Sequence, residues 1–142
     1  IRTHGAKPGG PWRIAIEKPL VGARDIQQIL DMPADGMAMA TSGDYRNYIE
    51  VDGRRLCHTI DPRTGRPITH ALASVSVLSE TCALADAYAT ALMVLGPDEG
   101  HALALERNMA VLMLTREAAD TVVERATPAF NRLAGDGEPL AR

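Results

Sequence analysis

The stretch Thr81–Gly96, TCALADAYATALMVLG, is an apolar helix-forming segment with a single charge, Asp86. Thr81 is a suitable N-cap and Gly96 a suitable stop. A helix that is apolar all round is normally buried, so we expect Asp86 to be desolvated, which costs free energy unless a cation or a donor compensates it. Thr90 lies four residues further and points the same way. Asp86 and Thr90 together predict a Mg²⁺ site with oxygen ligands. The alternative is that Asp86 has a structural role or caps the helix.

On either side of this helix, segments in which apolar and polar residues alternate, or which are rich in β-branched residues, predict strands. Turn-forming residues lie between these segments. The predicted strands are Trp12–Glu17, Ile26–Met32, Met37–Thr41, Tyr45–Val51, Arg54–Ile60, Ala73–Ser79 and Val111–Thr115. Two hairpins are expected, one through Pro33–Gly36 and one through Asp52-Gly53. Pro97 is expected to begin a second helix that runs to about Arg107. Residues Arg116–Phe130 are expected to hold a short helix or turn. Residues 136–142 are expected to form a frayed tail. The pattern predicts an α+β fold with a largely antiparallel sheet packed against helices.

Composition narrows the functional classes. A chain of 142 residues with 46% hydrophobic residues is long enough for one domain with a real core. The net charge of −3 gives no reason to expect nucleic acid, and the longest apolar run, Ala87–Leu95, is too short to span a membrane. Cys57 and Cys82 could form one disulfide, but buried small residues are the favoured interpretation; their spacing does not indicate zinc.

Two loops carry the other candidate site residues. His58–Pro67, HTIDPRTGRP, predicts a rigid turn, because Pro62 fixes φ, Asp61 can bond the backbone ahead of it and Gly65 tolerates a positive φ. His58 is a candidate general base or phosphate contact, or else an edge histidine of no special role. The turn at Thr41-Ser42-Gly43 can offer hydroxyl and N–H groups to an anion, or it is merely a turn.

Taken in order, three segments resemble the ApbE family, the FAD:protein FMN transferases. Ala40–Arg46 is similar to the family's Ser-Gly turn, His58–Pro67 to its His-x-Ile-Asp-Pro-x-Thr-Gly signature, and Ala85–Thr90 to its metal-binding helix. The similarity extends over nearly the whole chain. It implies a T-fold-related α+β fold in which residues 1–142 are the C-terminal part of a single flavin transferase domain, with the N-terminal half absent.

The resemblance implies that the FAD pyrophosphate is cleaved, that FMN is joined by a phosphoester bond to a Thr or Ser of an acceptor protein, and that AMP leaves. The implied site residues are Asp86 and Thr90 for Mg²⁺, His58 near the reacting phosphate, and Thr41, Ser42, Gly43, Ile60 and Asp61 for FAD. Ile60 would contact FAD through its backbone, and His58 would take the proton of the acceptor hydroxyl.

The resemblance also implies partners and a location. The partners are FAD, an acceptor flavoprotein subunit and the N-terminal half of the domain, which a second polypeptide could supply. The chain alone is expected neither to bind FAD tightly nor to turn over. Family members are commonly exported and lipid-anchored, so we expect the periplasmic side of a bacterial inner membrane, with the cytoplasm as the alternative.

Two other functions stay open at this point. A FAD pyrophosphatase would use the same metal but let water attack, releasing free FMN and AMP. A non-catalytic flavin-binding module would leave FAD intact in the presence of Mg²⁺. An assay with an acceptor peptide separates all three, because only the transferase attaches FMN to the peptide.

Overall fold

The computed structural model describes residues 1–20, 25–45, 48–51, 54–118 and 121–134. The strands are β1 (Trp12–Glu17), β2 (Ile26–Met32), β3 (Ala38–Gly43), β4 (Tyr48–Val51), β5 (Arg54–Cys57), β6 (Ile60–Asp61), β7 (Arg66–Pro67), β8 (Leu72–Ser79), β9 (Ala110–Ala118) and β10 (Thr121–Ala126). The helices are α1 (Cys82–Glu106) and α2 (Pro128–Ala134). The pairings between these strands are antiparallel, which confirms the α+β class.

Strand β8 lies inside the main sheet because its sequence, LASVSVLS, suits burial on both faces. All residues from Leu72 to Leu78 are buried. The order in this four-stranded sheet is β10-β9-β8-β3, so β8 pairs with β3 on one side and with β9 on the other. Two-stranded ribbons accompany the sheet, formed by β1 with β2, β4 with β5, and β6 with β7.

Each face of the main sheet has its own apolar core. On one face, Val75 and Val77 cluster with Leu92 and Met93 of α1. On the other face, Leu78 and Leu112 cluster with Leu30 of β2 and Phe130 of α2. The alternation of side chains along a strand produces this division, because successive residues point to opposite faces. Helix α1 is therefore held directly against β8 and β3.

Helix α1 begins and breaks where the sequence predicts. The Thr81 hydroxyl accepts a hydrogen bond from the Leu84 N–H at 3.2 Å, so Thr81 is the N-cap. Gly96 interrupts the helix with φ 85° and ψ −176°, and Pro97 starts the following turns. The helix is not buried all round, however: its buried residues lie on one face and include Ala85, Ala89, Leu92 and Met93. Within the described residues, no helix is long and apolar enough to cross a membrane.

Strand pairing differs from the prediction at β3. The sequence predicts a hairpin between Ile26–Met32 and Met37–Thr41, but β2 pairs with β1, and β3 pairs with β8 in the register Thr41↔Ser76. The turn at residues 33–36 does form, with the Gly36 N–H donating to the Pro33 carbonyl oxygen at 3.3 Å, but the strands on either side of it pair elsewhere. β8, which is buried on both faces, takes β3 as the partner along one edge. The second predicted hairpin is confirmed as β4 with β5, although its turn, Asp52-Gly53, lies outside the described residues.

The region after α1 holds more structure than the sequence indicates. The short helix expected within residues 116–130 is present only from Pro128, where α2 begins; before it, β9 continues to Ala118 and β10 returns antiparallel to β9. The β-branched pair Val122-Val123 favours the strand. The predicted tail, residues 136–142, lies outside the described residues. Both cysteines are free: the expected burial is confirmed for Cys57 and wrong for Cys82, which is exposed at the start of α1.

Candidate functional site

The Ser-Gly turn and the polar side of α1 meet at the outer edge of the main sheet. Ser42 is near the end of β3, and its hydroxyl lies 3.1 Å from the hydroxyl of Thr90 on α1, a hydrogen bond exposed to solvent. The antiparallel return of α1 over β8 and β3 brings these residues together although 48 positions separate them in the sequence. The structure thus joins one predicted flavin-binding residue to one predicted metal ligand.

Asp86 is exposed, so the predicted desolvation of its carboxylate is wrong. The helix packs Ala85 and Ala89 onto the sheet, which leaves Asp86 and Thr90 off the buried face and one turn apart. Their oxygens, with the Ser42 hydroxyl beside Thr90, form a hard donor set of the type that Mg²⁺ prefers. Among the residues that the structure describes, no group of three or more His, Cys, Asp or Glu side chains could hold a metal.

Thr41 takes no part in this edge cluster. As the neighbour of Ser42 along β3 it points to the opposite face, where its hydroxyl lies 2.7 Å from that of Ser76, a buried residue. Gly43 is closely packed: a Cβ at this position would lie 2.7 Å from the ring of Tyr45 and 3.2 Å from the carbonyl oxygen of Ala73. The turn therefore admits only glycine at position 43 without rearrangement.

The Asp61 turn is a separate, locally ordered loop between β6 and β7. The Asp61 carboxylate accepts hydrogen bonds from the Arg63 N–H at 2.8 Å and from the Arg63 guanidinium at 3.0 Å. The Asp61 carbonyl accepts from the Gly65 N–H at 2.8 Å, and Gly65 has φ +67°. This confirms the predicted turn. Ile60, the predicted backbone contact to FAD, is 48% exposed beside it.

The charges of this loop favour the ionised form of the Asp61 side chain. Hydrogen bonds from the Arg63 side chain, and then from its backbone N–H, lower the pKa of Asp61 below its ordinary value. The same pairing raises the pKa of Arg63. Arg63 also donates to Glu99 at 3.4 Å, which ties the loop to the part of α1 that follows Gly96.

His58 lies exposed between β5 and the Asp61 turn. Its Nδ1 lies 3.9 Å from the Sγ of Cys57, which also accepts a hydrogen bond from the Thr59 N–H at 3.4 Å. An exposed imidazole in the bend that follows β5 is accessible to an incoming hydroxyl group. Its role as a base remains the prediction made from the sequence.

The sequence interpretation missed an ion pair directly behind the Ser-Gly turn. The Arg116 guanidinium contacts both carboxylate oxygens of Asp44 at 2.8 and 3.1 Å. Both residues line a cavity of about 410 Å³ together with Cys57 and His70. Cys57 precedes and His70 follows the segment that carries the Asp61 turn. The signal that could have found it is an arginine two residues after the apolar run of β9, which ends at Leu114.

The sequence and the fold together assign the chain to a family of flavin transferases. The profile of the ApbE family matches residues 1–113, and the chain belongs to that family. The chain is 50% identical over 131 residues to the FAD:protein FMN transferase of Vibrio cholerae, which covers 92% of this chain and 38% of that protein. It is 49% identical over 109 residues to the FAD:protein FMN transferase of Escherichia coli K12, covering 77% of this chain and 30% of that protein.

Solved structures agree with these sequence similarities. The flavinyl transferase ApbE of Pseudomonas stutzeri superposes with a TM-score of 0.76 at 47% identity, covering 94% of this chain and 40% of that chain. The ApbE protein of Thermotoga maritima has a TM-score of 0.76 at 27% identity, covering 93% of this chain and 41% of that chain. The chain therefore spans well under half the length of the relatives that it matches.

Proposed function

We propose that this chain is part of a Mg²⁺-dependent FAD:protein FMN transferase. The reaction cleaves the pyrophosphate of FAD, joins FMN to a Thr or Ser hydroxyl of an acceptor protein and releases AMP. Membership of the ApbE family and the names of the Vibrio cholerae and Escherichia coli relatives support the class of reaction. The single observation that carries the proposal is the contact between Ser42 and Thr90. It joins the turn proposed to bind phosphate to the helix that carries the proposed metal ligands.

The donor set at the edge of the sheet fits magnesium. Mg²⁺ is typically bound through one or two carboxylates and keeps water and phosphate oxygens for its remaining positions. Asp86 would supply the carboxylate and Thr90 a hydroxyl, and both are accessible to a solvated ion and a large ligand. When bound, the metal supplies charge neutralisation at the pyrophosphate oxygens.

The protein side chains then perform binding and proton transfer. Ser42 and the backbone around Gly43 would bind phosphate oxygens, while the Ile60 backbone and the Asp61 turn would bind the flavin dinucleotide. A ring nitrogen of His58 would accept the proton of the acceptor hydroxyl as its oxygen forms a bond to the FMN phosphorus. The bond from that phosphorus to the bridging oxygen breaks, and AMP leaves with that oxygen.

We also propose the partners and the location that the sequence predicts. The acceptor is a flavoprotein subunit with an accessible Thr or Ser, and the remaining part of the site comes from the N-terminal part of the family fold, in the same or in a second polypeptide. The supporting observation is that 60% of the Pseudomonas stutzeri chain has no counterpart here. The proposed location is the periplasmic side of a bacterial inner membrane.

The test uses a graft, in which this chain replaces the matching 131 residues of the Vibrio cholerae relative. The graft is incubated with FAD, Mg²⁺ and a threonine-containing acceptor peptide, and peptide fluorescence, free FMN and AMP are measured. We expect flavinylated peptide and AMP in equal amounts. The unmodified Vibrio cholerae protein serves as the positive control.

Two aspartate variants on the same helix sharpen the test. Asp86→Ala is expected to lower the rate of FMN transfer about a hundredfold or more, because a metal clamp contributes several kcal/mol to such a transition state. Asp98→Ala is the matched control, since its carboxylate is exposed and forms a surface ion pair with Arg125, away from the proposed metal ligands. Free FMN and AMP without labelled peptide would show a pyrophosphatase, and intact FAD in a folded graft would show a binding module; either result contradicts the proposal.

A further inference from the structure

The ion pair between Arg116 and Asp44 is more enclosed than the other ion pairs that the structure describes. The side chains are 25% and 14% exposed, whereas those of Arg13 and Asp31 are 59% and 61% exposed. Both guanidinium nitrogens contact the carboxylate, at 2.8 and 3.1 Å, a bidentate geometry that fixes orientation as well as distance. Hydrogen bonding to Asp44 raises the pKa of Arg116, so the guanidinium stays charged.

This ion pair spans the beginning of β8. The Asp44 N–H donates to the carbonyl oxygen of Ala73 at 3.1 Å, and the Arg116 N–H donates to that of Ala71 at 2.9 Å. The backbones of both residues are thus fixed to the same short segment, and their side chains join across it. As a result, the end of the outer strand β3 is tied to β9 through a rigid, charged connection.

The part of the chain that this connection fixes is the Ser-Gly turn. Asp44 directly follows Ser42-Gly43, and the Tyr45 ring lies against Gly43 so closely that no Cβ would fit. Since the turn has no free space on that side, a displacement of Asp44 is transmitted to Ser42. The Ser42 hydroxyl in turn lies 3.1 Å from Thr90, so its position depends on the connection behind it.

We propose that Arg116 is a positioning residue of the flavin-transfer site, acting through Asp44 to hold Ser42 against Thr90. The inference rests on the proposed function for its kinetic consequence, but the geometric part stands on the contacts alone. Partly buried ion pairs add little net stability compared with apolar side chains, so stability alone is a weak reason for this pair. A displacement of about 1 Å at a reacting centre can cost about a hundredfold in rate.

The first experiment measures position without using activity. Ser42→Cys and Thr90→Cys are introduced together into the graft, with Cys57 and Cys82 replaced by serine, and disulfide formation is followed by peptide mapping under mild oxidation. The hydroxyl separation of 3.1 Å predicts rapid cross-linking. Adding Arg116→Met is expected to slow it at least tenfold, whereas adding Arg13→Met at the exposed pair leaves the rate unchanged. Equal rates in both backgrounds would overturn the proposal.

The second experiment measures kinetics in the graft. Arg116→Met is expected to lower kcat for FMN transfer ten- to a hundredfold with KM for FAD changed less than threefold, and Arg116→Lys to restore part of kcat. A merely structural role would instead lower the folded fraction and leave kcat per folded molecule unchanged, which contradicts the proposal. If the unmodified graft transfers no FMN, the proposed function fails, while the cross-linking result still supports or overturns the positioning of Ser42.

Discussion

The two parts of the candidate site are held in place by different means. The Ser42–Thr90 contact joins residues 48 positions apart, and the packing of α1 on the main sheet maintains it. The Asp61 turn is held by hydrogen bonds within five residues, from Arg63 and Gly65 back to Asp61. The first part depends on the whole core, whereas the second depends mainly on its own short sequence, with one exposed link from Arg63 to Glu99.

This difference indicates how each part should respond to change. Substitutions in the core should move Thr90 relative to Ser42 and lower the free energy of unfolding of the whole chain. Substitutions in the turn should alter the loop and leave the rest of the fold intact, because exposed local contacts contribute little to global stability.

Leu92→Ala should have the largest effect. Leu92 is fully buried between α1 and the sheet, so its truncation leaves a cavity and should cost about 2–5 kcal/mol of unfolding free energy. Leu105→Ala is the matched control on the same helix, because Leu105 is 47% exposed and should change stability by less than about 1 kcal/mol. Urea unfolding followed by circular dichroism measures both; equal losses would show that α1 is not anchored as described.

Two of the glycines with positive φ, Gly96 and Gly65, should distinguish a substitution against the core from one in the loop. Gly96 has φ +85°, and an added Cβ would lie 3.0 Å from the His70 ring, so Gly96→Ala should cost about 1–3 kcal/mol. Gly65 has φ +67° with no atom within 4 Å of an added Cβ, so Gly65→Ala should cost only the backbone strain of about 1–2 kcal/mol. Thermal unfolding gives the comparison, and a larger loss for Gly65→Ala would reverse it.

Neighbouring hydroxyls on β3 offer a finer comparison. Thr41→Ala leaves the buried hydroxyl of Ser76 without this partner and should cost about 1–3 kcal/mol. Ser42→Ala removes an exposed hydrogen bond and should cost less than about 1 kcal/mol, because water replaces it. Chemical denaturation of the two variants decides the order. A greater loss of stability for Ser42→Ala would mean that Ser42 serves the fold more than the site.

The smallest effect is expected for the pH dependence of Asp61→Asn. Because the folded pKa of Asp61 is lowered, its carboxylate stabilises the native state fully above its unfolded pKa of about 4. This contribution is lost as the pH falls through the lowered folded value. The difference in Tm between the unmodified chain and Asp61→Asn should therefore shrink from pH 6 towards pH 3. A difference that grows over this range would contradict the interpretation of the turn.

Local features were predictable from the sequence to the extent that neighbouring residues determine them. The Asp61–Gly65 turn, the Thr81 N-cap and the break at Gly96 all depend on side-chain and backbone chemistry within a few residues. The family resemblance, which rests on such ordered short motifs, was confirmed over residues 1–113. The roles of His58, Asp86 and the flavin-binding residues remain predictions.

Features that depend on distant segments were not predictable in the same way. The pairing of β3 with β8 rather than β2 follows from the need to cover both edges of a buried strand. The exposure of Asp86 follows from which face of α1 the sheet selects, and the apolar sequence alone did not reveal that choice. Arg116 gained its importance only when the fold placed it across β8 from Asp44.

A double-mutant cycle in the graft tests directly whether the Ser42 turn and α1 form one flavin-transfer site. The rate of FMN transfer to the acceptor peptide is measured for Ser42→Ala, Thr90→Ala and the double variant. We predict strong non-additivity, with the double variant little slower than Thr90→Ala alone, because both hydroxyls serve the same phosphate and metal. Independent effects that multiply, or no loss of rate in either single variant, would contradict the account.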